Sequence, residues 1–478
     1  MIETTNYKKN KINLEDYDYQ QDIRNRQLMA QFSKDDVEVL EEILYSPIKC
    51  SFERLAETLD KSVEEIKNHL NKLSETNLFA VHADHILVDK DMRKYFETQI
   101  LKFEEDFTPG MDFLQSLLKR VPIHVLPNWY PIPRTSNNIF ESLVEKYLIT
   151  PQTFQRYLAE LNLGDEILQG IVEDVFRAPE FKISSAEIMQ KYALSQEQFE
   201  EAMLHLEFNF VCCLVYEKQG DEWKEVITLF HEWKEYLDFL KNSEPEGVAE
   251  DAPVESLRSS DYAFIEDLSS LLTATKKQRL ALRLSSQELW EFDASEHQKV
   301  ASILGTTSFP GSSFEEYTSS LIHKAVFLKL ARIESSSLII NELSDEWLSL
   351  PKEKRALSAY KHTTQNHSYN EFPPELPTER NIREIEKSIT RILEKEWVLY
   401  SEFMNSVLAP ISDDSKIVLK KKGRSWHYSL PQYTDTEQDL IKLITFNWMF
   451  EGGIISKGIL NGKECIKVTP FGKSIFGQ

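Results

Sequence analysis

Glycine and cysteine are scarce in this sequence. Gly supplies 14 of the 478 residues, about 3% against a usual share of roughly 7%. This deficit argues against dinucleotide-binding and phosphate-loop folds, because their chemistry depends on glycine-rich turns. The cysteines, Cys50, Cys212, Cys213 and Cys465, show neither a CxxC spacing nor a disulfide framework. Such thiols are typical of a reducing compartment, and we expect Cys212 and Cys213 to be buried thiols in an apolar strand.

Long apolar runs and catalytic motifs are absent as well. The first residues lack the apolar core of a signal peptide, and no stretch reaches the roughly 18 apolar residues of a membrane span. We therefore expect a cytoplasmic protein. No phosphate-loop, nucleophile-elbow or HExxH motif is present, and the Gly-Lys-Ser at 472–474 has Lys467 where a phosphate loop needs glycine.

These absences predict a protein without enzyme activity, catalytic residues, cofactor or metal site. His82 and His85 stand three positions apart in a strand-like segment. Side chains at that spacing on a strand point to opposite faces and converge only if a turn intervenes, so we do not expect a shared metal. An enzyme with dispersed catalytic groups stays an alternative. A pocket that holds two titratable groups with shifted pKa values would indicate it.

Negative charge dominates the chain but is unevenly distributed. With 55 Lys and Arg against 78 Asp and Glu, the net charge is −23, which repels nucleic acid on average. Residues 152–260 hold 9 basic and 23 acidic residues, whereas residues 411–478 hold 10 basic and 7 acidic residues. Contacts with nucleic acid would therefore be confined to local basic surfaces, of which the C-terminal segment is the best candidate.

Caps and apolar periodicity predict a mainly α protein with short β-hairpins, built of tandem winged helix-turn-helix modules joined by helical connectors. From Ser33 onward the pattern is helix, helix, turn, helix and hairpin; a similar order recurs after Ser184, and Asn461-Gly462 predicts a last hairpin. The predicted segments are a polar N-terminal tail over 1–32, a winged helix over 33–105, a helical connector with a proline-rich loop over 106–170, an acidic winged-helix-like module over 171–241, a linker over 242–258, a helical and winged-helix region over 259–365, a linker over 366–379, and a C-terminal winged-helix region with a basic hairpin over 380–478.

Two groups of residues are candidates for binding nucleic acid. The first is a basic hairpin whose cations could contact phosphates and whose indole could stack on a base; it comprises Lys416, Lys420, Lys421, Lys422, Arg424 and Trp426. The second is the outer face of the third helix of the first module, with Lys61, Lys67, Asn68 and Asn71. The alternative for the hairpin is a solvated turn, with Trp426 and Tyr428 as packing residues. For the helix it is a solvated or protein-binding face, because Glu64, Glu65 and Glu75 oppose its lysines.

Three stretches in the second half of the chain carry a family likeness. They are ELSDEWLSLPKEKRALSAYKH, EKEWVLYSEFMNSVL and ITFNWMFEGGIISKGILNGKECIKVTPFGKSIF. Over residues 260–478 the chain resembles the helicase-associated, winged-helix-rich N-terminal domain of bacterial XPB-type superfamily 2 helicases. The resemblance implies a DNA-associated or helicase-associated accessory module without a motor.

Two functions follow from these observations. The first is a non-enzymatic accessory protein whose basic C-terminal wing makes weak, salt-dependent contacts with DNA, while its acidic body binds a protein partner such as a helicase or a transcription or repair component. The alternative is a protein–protein adaptor of winged-helix modules that does not bind nucleic acid. Neither function requires a membrane.

Overall fold

The computed structural model describes residues 11–132, 138–161, 163–220, 222–286, 288–367, 371–423 and 425–477. The chain divides into two compact units. The first unit comprises Met1–Asp238 together with Val418–Ser429, and the second comprises Phe239–Ile417 and Leu430–Gln478. The structure is mainly helical with small antiparallel sheets, as expected. Among the described residues, no helix has the length and apolarity needed to cross a membrane.

The helices of the described segments are α1 (Tyr19–Met29), α2 (Lys34–Tyr45), α3 (Phe52–Leu59), α4 (Val63–Leu73), α5 (Lys90–Gln99), α6 (Met111–Leu118), α7 (Leu126–Trp129), α8 (Ile139–Leu143), α9 (Pro151–Glu160), α10 (Glu166–Arg177), α11 (Ser185–Tyr192), α12 (Gln196–Phe208), α13 (His231–Asn242), α14 (Ala263–Lys277), α15 (His297–Leu304), α16 (Phe314–Phe327), α17 (Leu343–Ser349), α18 (Lys352–Asn366), α19 (Glu379–Lys387), α20 (Tyr400–Asn405), α21 (Asp435–Lys442), α22 (Met449–Glu451) and α23 (Pro470–Phe476). A π-helical stretch, Leu443–Trp448, joins α21 to α22.

The strands are β1 (Lys49–Ser51), β2 (Phe79–Val81), β3 (His85–Val88), β4 (Lys182–Ser184), β5 (Cys212–Gln219), β6 (Glu222–Leu229), β7 (Glu255–Ser256), β8 (Leu280–Leu284), β9 (Trp290–Phe292), β10 (Ala331–Glu334), β11 (Ser337–Ile340), β12 (Val398–Leu399), β13 (Leu419–Lys422), β14 (Ser425–Tyr428), β15 (Ile455–Leu460) and β16 (Lys463–Val468).

One order of elements occurs four times: helix, strand, helix, helix and a two-stranded hairpin. In each repeat the first strand pairs with the last, so the strand order is first, third, second. The repeats are α2-β1-α3-α4-β2-β3, α10-β4-α11-α12-β5-β6, α14-β8-α15-α16-β10-β11 and α19-β12-α20-α21-β15-β16, with β9 added at the edge of the third sheet and β7 at the edge of the fourth. The first two repeats lie in the first unit and the last two in the second.

Local sequence signals account for the first repeat. Ser33 accepts a hydrogen bond from the Asp36 N–H and Ser62 from the Glu65 N–H, and each serine forms the capping box that begins its helix, α2 or α4.

The turn predicted at Asn461-Gly462 is confirmed in the fourth repeat, between β15 and β16. Both turn residues have positive φ, 52° and 78°, as this two-residue hairpin requires.

The structure differs from the predicted segments in five respects. The predicted tail includes α1, which has a buried face in the first unit. The proline-rich loop contains the short helix α7, because Pro127 occupies the first turn, where its missing N–H is not needed. The first strand of each repeat was not predicted, since two to five residues are too few for periodicity. The predicted linker over 242–258 carries β7, which pairs with β15, and Leu376 in the predicted linker over 366–379 is buried.

A buried ionic network holds the first unit together. The guanidinium of Arg26 in α1 contacts Glu207 and, at 3.5 Å, Glu200, both in α12. Lys102 lies 3.4 Å from Glu207, whose carboxylate also accepts the Leu214 N–H of β5 at 3.2 Å. Arg26, Glu200 and Glu207 are completely buried. Burial raises the pKa of Glu200 despite the nearby Arg26, with the neighbouring carboxylate of Glu225 adding to the rise.

Replacing Arg26 with methionine is expected to destabilise the first unit by about 3–5 kcal/mol, because it leaves Glu207 buried with only Lys102 beside it. Arg24 on the same helix is exposed, so Arg24→Met is the matched control, with an expected change within about 0.5 kcal/mol. Urea unfolding of the two variants measures the difference. A loss below about 1 kcal/mol for Arg26→Met would contradict a central role for this network.

Candidate functional site

The basic hairpin β13–β14 lies between α20 and α21 of the fourth repeat, and not after the third helix as a wing does. The terminal hairpin of that repeat is β15–β16. The segment Val418–Ser429 belongs to the first unit, although the chain on both sides of it belongs to the second. The segment predicted as a basic C-terminal wing is therefore an insertion in the fourth repeat.

One side of this hairpin is packed on the first unit. The Leu419 N–H donates to the carbonyl of Ile149 at 2.8 Å, and the buried Tyr428 hydroxyl donates to the carbonyl of Leu148, also at 2.8 Å. The Tyr428 ring lies 5.7 Å from that of Tyr236. Backbone bonds and aromatic contacts together hold both strands in place.

Trp426 shares this packing. Its ring meets Phe140 edge-on with a 6.0 Å centroid separation, and the ammonium of Lys421, its cross-strand partner, lies 5.8 Å from its centroid. The indole Nε1 is buried without a hydrogen-bond partner among the described residues. The half-buried indole is thus engaged by Phe140 and Lys421, which disfavours the predicted stacking on a base.

The hairpin cations are partly neutralised. Lys416 lies 2.6 Å from Asp413, and Lys421 lies 3.5 Å from Asp112. Lys420 and Lys422 are exposed and make no ion pair with any residue that the structure describes. Arg424 lies outside the described residues. Of the five predicted groups that the structure describes, two lysines thus remain as exposed charges without an ion pair.

On the outer face of α4, as on the hairpin, part of the predicted positive charge is already engaged. Lys61 pairs with Asp35 at 2.7 Å, and the ammonium of Lys67 lies 5.6 Å from the Phe52 ring. Asn68 and Asn71 are exposed on this face.

Lys72, also on α4, is turned toward α2. It lies 2.5 Å from Asp36. Although partial burial opposes the change, hydrogen bonds from Lys72, His69 and Ser33 lower the pKa of Asp36 to about 2. This lysine is therefore engaged in joining two helices of the first repeat.

The third helices of the second and third repeats, α12 and α16, are covered on several sides. In α12 the buried residues include the consecutive run Ala202, Met203 and Leu204 and the run Leu206, Glu207 and Phe208. In α16 the run is Tyr317, Thr318 and Ser319. Since successive residues of a helix are about 100° apart, three buried in a row enclose most of its circumference. In α4, by contrast, only the single stripe Ile66, Leu70 and Leu73 is buried.

Two smaller expectations can be compared with the structure. Cys212 and Cys213 are confirmed as buried free thiols. A turn does intervene between His82 and His85, and their rings converge and stack with centroids 4.8 Å apart.

Sequence reasoning missed two clusters of side chains. The ligand atoms of His231, Glu235 and His427 lie within 4.8 Å of one another in the first unit. The signal available was the i, i+4 spacing of His231 and Glu235 on one helix face, but His427 is 192 positions from Glu235.

The second cluster lines a cavity of about 550 Å³ in the second unit. Lys457 on β15 points its ammonium at the Phe446 ring, 4.1 Å from the centroid, and donates to Asn447 Oδ1 at 2.9 Å. Burial lowers the pKa of Lys457 to about 8, and burial also lowers the pKa of His323 on the same wall. These are the shifted groups in a pocket that an enzyme with dispersed residues would need.

The other charged groups of the cavity wall are already engaged. Lys324 contacts Glu451, and Lys442 lies 2.7 Å from Glu464. Glu316 accepts hydrogen bonds from the Ser312 hydroxyl and the Ser313 N–H as part of a helix cap. These carboxylates therefore stabilise the wall and do not act as a free base toward Lys457.

No protein-family model matches the chain, and no curated protein shows significant similarity to it.

Truncating Tyr428 to alanine is expected to release the hairpin, at a cost of about 3 kcal/mol, because the change removes a buried ring and its hydrogen bond. Hydrogen exchange of the Leu419 amide measures the release and is expected to accelerate on the order of 100-fold. The matched control, Lys420→Ala with Lys422→Ala, changes only exposed side chains and should leave this exchange unaltered. Equal acceleration in both proteins would contradict the docking.

Replacing Lys457 with methionine is expected to stabilise the second unit by about 1 kcal/mol at pH 7. Since its pKa falls to about 8 on folding, the unfolded chain binds an extra proton between pH 8 and about 10.5, and wild-type stability rises with pH there. The advantage of the variant should therefore shrink by pH 10. Urea unfolding at pH 7 and pH 10 tests this, with the exposed Lys463→Met as control; a variant less stable than wild type at pH 7 would contradict it.

Proposed function

We propose that this chain is a non-enzymatic adaptor, in which four winged-helix modules form a scaffold for a protein partner. In a DNA-reading helix-turn-helix the third helix of such a module enters the major groove. The observation that supports the adaptor is the burial of that helix on several sides in modules two and three. A helix that packs most of its circumference against its own protein has little surface left for a groove, and this supports a role of these modules as building blocks.

Electrostatics support the same proposal for the two remaining candidates. The exposed outer face of α4 carries Glu64 and Glu65 in its first turn. A DNA-binding helix needs neutral or positive side chains there, because carboxylates repel the phosphates. On the hairpin, Lys420 and Lys422 would provide at most a small number of phosphate contacts. A protein surface with mixed charges is a better match for both regions than a polyanion.

The chemistry of the cavity also favours a non-enzymatic role. Lys457 has a lowered pKa, but the carboxylates Glu451 and Glu464 are each taken up by another lysine. A general base facing a nucleophile at hydrogen-bond distance, the arrangement that acid–base catalysis requires, is not formed by the described lining residues.

The class of partner that we propose is a nucleic-acid-processing enzyme. The resemblance of residues 260–478 to a helicase-associated domain supports this choice, and modules three and four lie within that range. The adaptor would then bind the enzyme and leave the nucleic acid to it.

Salt-dependent DNA binding of the full-length protein tests the proposal. We expect binding of a 30-base-pair duplex weaker than about 10 µM at 50 mM salt, with a log–log salt slope no steeper than about −2, because the described part of the hairpin exposes two lysines without an ion pair. Lys420→Ala with Lys422→Ala should change the affinity less than about 3-fold. Glu64→Gln with Glu65→Gln is the matched comparison on α4.

A steeper slope that the two hairpin substitutions abolish would overturn the adaptor in favour of a DNA-contacting accessory protein. Tight binding created only by the α4 substitutions would support the role assigned to Glu64 and Glu65. Co-purification of a helicase or polymerase subunit with the tagged full-length chain, retained after nuclease treatment, is the positive result expected of an adaptor.

A further inference from the structure

Three side chains with metal-ligand chemistry converge where the basic hairpin meets α13. His427 Nδ1 lies 2.9 Å from Glu235 Oε2, and His231 Nε2 lies 3.9 Å from the same oxygen. One ligand atom from each residue falls within 4.8 Å of the other two. The two imidazole rings are nearly perpendicular, at 83°, with centroids 5.7 Å apart.

These separations suit a single transition-metal ion. Zinc binds imidazole nitrogen and carboxylate oxygen at about 2.0–2.2 Å in a tetrahedral arrangement, which places ligand atoms about 3.3–3.6 Å apart. The distances from Glu235 to the two histidines, 2.9 and 3.9 Å, lie on either side of this range, and the two histidine ligand atoms lie within 4.8 Å of each other. Side-chain rotations that move these atoms by about 1 Å would bring the three to tetrahedral spacing. Two histidines and one glutamate are also an established ligand set for zinc, with a fourth position left to water.

The backbone around the three residues is held in place. The His231 N–H, at the start of α13, donates to the Pro109 carbonyl at 2.7 Å, and Glu232 accepts the Met111 N–H at 2.8 Å. His427 precedes the buried Tyr428, whose hydroxyl bond fixes that end of β14. An ion bound here would meet ligands that are already positioned, which reduces the entropic cost of binding.

The site is also open to solvent and partly compensated in charge. The side chains of His231, Glu235 and His427 are 32%, 44% and 37% exposed, so water can reach the fourth position. Glu235 supplies one negative charge. Lys420, the cross-strand partner of His427, is exposed and long enough to turn away from a cation.

We propose that His231, Glu235 and His427 form a zinc-class metal site that pins the basic hairpin to α13. The ion replaces the direct His427–Glu235 contact with a three-point link between a strand and a helix that are far apart in the sequence. Binding to the folded protein alone stabilises the docked hairpin in proportion to the occupancy of the site.

Titration of the metal-stripped, full-length protein with Co²⁺ tests the proposal, because a tetrahedral Co²⁺ complex has strong visible absorption. We expect one Co²⁺ per chain, displaced by Zn²⁺, and a rise of at least about 2 °C in the thermal midpoint with Zn²⁺. His427→Asn and Glu235→Gln should each weaken Co²⁺ binding by at least about 10-fold. The matched control, His82→Asn with His85→Asn, removes a stacked histidine pair elsewhere in the first unit and should bind as wild type does.

Circular dichroism and urea unfolding of the metal-free variants check that they are folded; Glu235→Gln changes an exposed residue and preserves the size of the side chain. Wild-type protein without Co²⁺ absorption at millimolar metal would overturn the proposal and leave an ordinary His–Glu ion pair. Absorption that persists in both ligand variants, or that is lost in the control, would overturn it as well.

Discussion

The buried guanidinium of Arg26 is the group on which the first unit depends. A charge without water must be paired, and Arg26 finds its partners on α12 of the second repeat. Glu207 also accepts the Leu214 N–H of β5 and lies beside Lys102, which follows α5. One network therefore fixes α1, the segment after α5, α12 and β5 relative to each other. The same network holds the buried side of α12 in the interior of the first unit. That burial supports the proposal that this repeat is a structural block.

The basic hairpin shows that a cluster of positive residues in the sequence need not form an equally positive surface in the folded protein. Its lysines are dense in the sequence, yet Lys421 faces Asp112 and Trp426 faces Phe140 once the hairpin is docked. Each of these contacts uses a group that could otherwise have met a phosphate or a base. The strand that carries them is held by Leu419 and Tyr428, so the geometry of the hairpin is set by the first unit.

In the second unit, repetition of one small topology is combined with variation at its edges. The third and fourth sheets each gain a strand, β9 and β7, beyond the shared order. The cavity of this unit is lined by ion pairs that satisfy most of its charges, and Lys457 lies against aromatic faces with an amide as its hydrogen-bond partner. Charges that are engaged in this way stabilise the cavity wall, and this agrees with the proposed role as a scaffold.

The sequence by itself determined the helices that have an apolar stripe and a cap, such as α2 and α4, and the hairpin at Asn461-Gly462, because these depend on contacts within a few residues. It did not indicate α1, whose buried face includes Asp22, Asn25 and Arg26 and therefore reads as polar. The partners of Arg26 on α12, the pairing of Lys421 with Asp112 and the contact of His427 with Glu235 arise from tertiary packing. Each joins residues more than a hundred positions apart, and one sequence contains no signal for which distant charge will neutralise a given side chain.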